Sequence, residues 1–166
     1  FPEYKPFVEG AGATLKVVPP DIPGFQINLE KLEAMLTPQT QAVIVNSPNN
    51  PSGVVYTAET LSALGDILTR KGAEFGHPIY IVADEPYREL VYGCEAPFIP
   101  NIYPHTIVCY SYSKSLSLPG ERIGYVYVPA TAPESKRLYA AIAGAARSAG
   151  HVCAPSLWQK VIARCT

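Results

Sequence analysis

Four short, almost wholly apolar runs, each broken by polar residues, constrain this chain more than any other feature. They are Ala42 to Val45, Ile79 to Ala83, Thr106 to Tyr110 and Ile123 to Val128. A strand with one wet face alternates apolar and polar side chains, whereas a continuous apolar run fits a sheet covered on both faces. Ala13 to Val18 reads as a further short strand. Between the runs lie stretches with helical spacing. Asn28 caps one of them, with Leu29, Leu32 and Leu36 on its apolar side and Thr37-Pro38 as its stop. Another starts near Thr57, presents Leu61, Leu64 and Leu68 on one face, and closes at Arg70-Lys71-Gly72. A third is opened by the capping box Thr131-Ala132-Pro133-Glu134 and runs to about Ala146. A fourth has Pro155 in its first turn and Leu157, Trp158, Val161 and Ile162 on one face. Strands alternating with helices predict an α/β fold, a three-layer α/β/α sandwich around a mostly parallel sheet.

Bulk properties narrow the function. The chain has 166 residues, 48% of them hydrophobic, and a net charge of −1. That is enough for one domain with a sizeable core. No basic patch or acidic tail stands out, which argues against nucleic acid and membrane surfaces as partners. No apolar run approaches the roughly 18 residues of a membrane span, and no signal-peptide pattern opens the chain. Cys94, Cys109, Cys153 and Cys165 form no C-x-x-C pair, and His77, His105 and His151 are not at metal-ligand spacing near them. The thiols therefore read as idle in a reducing cytosol, and no metal is expected.

Polar residues at the ends of the runs carry the chemistry. Ligands of open α/β sheets bind beyond the carboxyl ends of the strands. Asn50 follows the first run, Asp84 and Tyr87 the second, and Ser111, Ser113 and Lys114 the third. Parallel strands would bring all of them to one edge. Arg122 precedes its strand. The stretch from Ser111 to Glu121 is shorter than the dozen or so residues a helical crossover needs, so the last strand is expected to return antiparallel, with Arg122 on the same edge. Gly120 and Gly124 flank Arg122, as close backbone approach would require. A lysine in a hydroxyl-rich turn with an arginine downstream suits a carbonyl cofactor that also carries a phosphate. The amine can form a Schiff base, and the hydroxyls and guanidinium can hold the phosphate.

Asn46-Ser47-Pro48-Asn49-Asn50-Pro51-Ser52-Gly53 resembles the N-x-P-x-N-P-T-G loop of the class I/II aminotransferases, which are fold-type I pyridoxal phosphate enzymes. Asp84-Glu85-Pro86-Tyr87 resembles the family's D-x-x-Y segment. Ser111-Tyr112-Ser113-Lys114 with Gly120-Glu121-Arg122-Ile123-Gly124 resembles its S-x-S-K and G-x-R-x-G signature. The similarity extends over essentially the whole chain, including the opening Phe1-Pro2-Glu3-Tyr4. It implies pyridoxal 5'-phosphate as cofactor, an L-amino acid and a 2-oxo acid as substrates, and an aspartate aminotransferase-like branch. Lys114 would form the imine and then shuttle the proton. Asp84 would pair with the pyridinium nitrogen and keep it protonated. Asn50 and Tyr87 would bond the ring's phenolic oxygen. Ser111 and Arg122 would hold the phosphate, with Ser113 as a helper. Ser52 departs from the pattern at a position that concerns turn chemistry more than catalysis.

The same comparison implies that residues 1–166 are part of a large domain. The aromatic that stacks on the ring and a glycine-containing phosphate turn would precede Phe1. The substrate-carboxylate arginine would follow Thr166, in a smaller domain, and a second subunit would complete the site. The chain starts without methionine and stops inside a helical pattern, which reads as a piece of a longer protein. The isolated piece is expected to be inactive. Two other functions fit parts of the pattern. Carbon–sulfur β-lyases of the same superfamily share these motifs, because the cofactor performs most of the chemistry. Ser111-x-x-Lys114 matches the S-x-x-K of serine β-lactamases, but neither S-D-N nor K-T-G occurs in the chain.

Overall fold

The computed structural model describes residues 2–165; Phe1 and Thr166, which begin the first matching motif and end the last helical pattern, lie outside the described residues. In chain order the elements are α1 (Tyr4–Gly10), α2 (Leu29–Met35), β1 (Ala42–Asn46), α3 (Ala58–Phe75), β2 (Tyr80–Asp84), α4 (Ile99–Ile102), β3 (Thr106–Ser111), α5 (Tyr112–Ser115), β4 (Gly124–Tyr127), α6 (Ser135–Ser148) and α7 (Ser156–Cys165). A single 3-10 turn, Pro119–Glu121, precedes β4. The four strands stand side by side in the order β1-β2-β3-β4. β1, β2 and β3 are parallel, and β4 returns antiparallel to β3 with Gly124 opposite Ser111. The short connection after Ser111 thus has the consequence expected of it.

The helix starts follow from their caps. Asn28 Oδ1 accepts the Lys31 N–H at 2.9 Å, and Thr57 Oγ1 accepts the Thr60 N–H at 3.1 Å. Each satisfies one of the amide groups that a first helical turn leaves unpaired. α3 lays Leu61, Leu64 and Leu68 against Val45, Ile79, Ile81, Ala83 and Val108 of the sheet, and Leu32 of α2 joins them. Each fully buried leucine contributes roughly 1.5–3 kcal/mol through removal of apolar surface from water. Ile99 and Tyr103 extend this core beneath β3, where the Tyr103 hydroxyl donates to the Ile79 carbonyl at 2.7 Å.

Several sequence expectations are corrected. α3 runs past Gly72 to Phe75 and ends at Gly76, whose φ of +79° is the left-handed cap that glycine adopts without strain. Ala13 to Val18 is not a strand. It finds no ladder partner among the described residues, and Val18 only packs against the core edge. Glu134 does not close a capping box. It adopts a left-handed conformation and turns forward to pair with Arg137 at 3.2 Å. In α7 the inward face holds Ile162, whereas Leu157 is exposed. Cover on the two sheet faces is unequal. Ile81, Ala83, Val108 and Tyr110 are buried, but Val82, Asp84, Ile107 and Cys109 are only half-buried, and all of β4 is exposed. Continuous apolar runs thus report a second face that residues 2–165 cover only in part.

Candidate active site

The Asn46-to-Gly53 loop is tied down by its own side chains. Asn46, the last residue of β1, donates from Nδ2 to the Asp84 carbonyl at 2.9 Å and accepts the Asn50 N–H on Oδ1 at 3.0 Å. One amide therefore fixes the loop that carries Asn50 to the end of the strand that carries Asp84. Ser52 donates from Oγ to Asn49 Oδ1 at 2.8 Å, a contact within the turn itself. The Ser47–Pro48 and Asn50–Pro51 peptide bonds are cis.

Asn50 Nδ2 donates to the Tyr87 hydroxyl at 3.0 Å, joining two predicted residues 37 positions apart. Lys114 Nζ lies 5.9 Å from the centre of the Tyr87 ring. Pro48, Asn50, Tyr87, Leu90 and Lys114 line one open cleft of about 390 Å³. Asp84 stands opposite Asn46 on β1 and Cys109 on β3. Tyr4, in the first turn of α1, donates its hydroxyl to Asp84 Oδ2. Asn46 Nδ2 approaches the same oxygen at 3.5 Å. Burial, then Asp84, push the Tyr4 phenol far above its usual range. Burial likewise raises the Cys109 thiol, so this cysteine is a poor nucleophile.

At the end of β3, Ser111 Oγ accepts the Ser113 N–H at 3.2 Å and donates to Ser113 Oγ at 2.8 Å. Lys114 follows in α5, which is held from below. Tyr110 places its hydroxyl within hydrogen-bond distance of Ser115 Oγ, at 2.7 Å, and donates to Glu89 Oε2, at 2.8 Å. The antiparallel return brings the backbone of Arg122 alongside this turn, with the Tyr112 N–H donating to the Ile123 carbonyl at 3.1 Å. The Arg122 side chain itself donates from Nη1 to the Pro119 carbonyl at 2.9 Å. It pairs with neither Glu121 nor Glu134. Of its flanking glycines, Gly124 meets the requirement for close approach: a Cβ there would collide with the Tyr110 carbonyl oxygen. Gly120 faces open space.

Six of the seven predicted residues, all but Arg122, therefore occupy or directly follow the carboxyl ends of parallel strands. Asn50, Tyr87 and Lys114 share one cleft; Ser111 and Ser113 touch each other. No direct bond joins Asp84 or Arg122 to that trio. Sequence reasoning assigned no role to Asn46 or Tyr4. Asn46 could have been suspected as the polar stop of an apolar run. Tyr4 carries no such signal, because its partner is 80 residues away. Among the described residues no His, Cys, Asp and Glu cluster could hold a metal, and no helix is long and apolar enough to cross a membrane.

A primary amine, a carboxylate, an amide–phenol pair and a hydroxyl-lined turn thus stand along one edge of an α/β sheet. The family of class I and II aminotransferases matches residues 1–166. An aspartate aminotransferase of Geobacillus stearothermophilus is 42% identical over 110 residues, covering 63% of this chain and 26% of that protein. A probable aspartate/prephenate aminotransferase of Aquifex aeolicus is 37% identical over 122 residues, covering 68% and 29%. The crystal structure of an aminotransferase from Eubacterium rectale is 58% identical and superimposes with a TM-score of 0.95, over 98% of this chain and 41% of the other. The chain belongs to the class I and II aminotransferase family. It spans well under half the length of these relatives.

Proposed function

We propose that residues 1–166 are the cofactor-holding part of the large domain of an enzyme that moves an amino group between an L-amino acid and a 2-oxo acid. The observation that carries this reading is the shared cleft of Asn50, Tyr87 and Lys114, with Asp84 on the same sheet edge. The donor set fits pyridoxal 5'-phosphate: an amine for its aldehyde, a carboxylate for its ring nitrogen, amide and phenol groups for its phenolic oxygen, hydroxyls and a guanidinium for its phosphate. When bound, the cofactor supplies a ring that accepts electrons from the carbon bearing the amino group. Lys114 would anchor it through Nζ, and the amine, once free, would hold or move a proton at that atom. Asn50 and Tyr87 already bond each other, so both enter the site pre-positioned. Arg122 spends one guanidinium N–H on Pro119 and would turn its others to the phosphate, which Ser111 and Ser113 would also bond.

The names of these relatives make aspartate the first amino acid to test. The remaining ring-stacking and substrate-gripping groups would come from an N-terminal segment, a small C-terminal domain and a second copy of the protein, in the cytosol. Borohydride reduction of the full-length protein loaded with pyridoxal phosphate, followed by peptide mapping, places the pyridoxyl group on Lys114. Labelling of another lysine, or of none, refutes the reading.

A further inference from the structure

We infer that Tyr4 is a positioning residue for Asp84: its hydroxyl holds Oδ2 so that Oδ1 remains turned toward the cofactor. The inference rests on the cofactor reading above and adds a residue to it. Asp84 ends β2, and its half-buried carboxylate has two protein donors among the described residues. Both go to the same oxygen. One is the Tyr4 hydroxyl, and the other is Asn46 Nδ2 at 3.5 Å, the outer limit of a hydrogen bond. Oδ1 receives none. A carboxylate held by that weak contact alone would turn about its last bond, and a ring nitrogen would meet a moving acceptor. A phenol donating to one oxygen stops that rotation.

Three further observations suit Tyr4 to this task. The phenol is pushed far up its scale, by burial first and by Asp84 second, so it keeps its proton and acts as a donor. The other titratable groups that act on it among the described residues are Cys109 and Tyr87, neither of them a cation. Tyr4 also reaches Asp84 from α1 on the side of the sheet where Val82, Ile107 and Cys109 are only half-buried.

The test is a double-mutant cycle in the full-length protein, read as the equilibrium affinity for pyridoxal phosphate from its visible absorbance. Tyr4→Phe keeps the ring and removes only the hydroxyl. It weakens binding about tenfold, the size expected for one hydrogen bond to a charged acceptor. In an Asp84→Ala background the same substitution changes binding by under about twofold, because the group it positions is gone. Unchanged binding in Tyr4→Phe overturns the inference. So does an equal loss in both backgrounds, which marks a merely structural role. If the unmodified protein takes up no pyridoxal phosphate, or the borohydride label maps away from Lys114, the cofactor reading fails first and this inference fails with it.

Discussion

At the scale of single residues, the site depends on side chains that hold other side chains. Asn46 commits both ends of its amide to the edge, one to Asp84 and one to the loop of Asn50. On the proposed function, Asp84→Ala in the full-length protein is expected to slow turnover about 100-fold or more, since it would remove the charge paired with the ring nitrogen. Capture of the cofactor by Lys114 should persist, so the borohydride label remains while turnover collapses. Glu85, the next residue, has a different role. Its carboxylate is buried, Oε2 meets Arg88 at 2.7 Å, and Oε1 has no hydrogen-bond partner among the described residues. Burial raises its pKa more than Arg88 lowers it. An acid raised in the folded state binds its proton more readily there than in the unfolded chain. Stability therefore falls as pH climbs from the ordinary glutamate range through the raised folded value, and is highest below that window. Glu85→Gln removes this part of the slope, which unfolding midpoints measured across mildly acidic pH will report.

At the scale of elements, the four strands and the Asn28 cap were legible because continuous apolar runs and an asparagine before a helical pattern are local signals. The misreadings have a common physical source. Ala13 to Val18 has strand composition but no neighbour to pair with, and strand identity resides in the ladder rather than in the segment. Gly72 looked like a helix stop, yet the cap is set by backbone conformation at Gly76, four residues on. The Asn50, Tyr87 and Lys114 cleft was legible because parallel strands carry their trailing loops to one edge. Tyr4 was not, because a bond across 80 residues leaves no periodicity. The β3–β4 pairing yields a test. Gly124→Ala would drive a methyl group into the Tyr110 carbonyl, destabilising the fold by about 1–3 kcal/mol. The same shift would disturb the Ser111–Lys114 turn opposite it. A lowered denaturation midpoint with weakened pyridoxal phosphate binding is expected, and an unchanged midpoint would contradict the close packing.

At the scale of the whole molecule, residues 2–165 form a sheet with one finished face. The half-buried second face, the exposed β4 and the exposed Phe7, Val17, Ile22, Tyr92 and Tyr139 leave much apolar surface in water. Prepared alone, the 166-residue chain is expected to self-associate through these surfaces, which sedimentation at increasing concentration will detect. It should also bind pyridoxal phosphate far more weakly than the full-length protein does, because its cleft is open and holds only part of the grip. Tight one-to-one uptake by the isolated chain would refute that expectation. The strand order has one more consequence. β1 to β4 stand in space as they follow one another along the chain. A ribosome, delivering the polypeptide from its amino end, therefore lays down the amide of Asn50 first, the carboxylate of Asp84 second and the amine of Lys114 third. Asn50 and Asp84 are thus already synthesised when the Lys114 amine emerges, and Arg122 follows it.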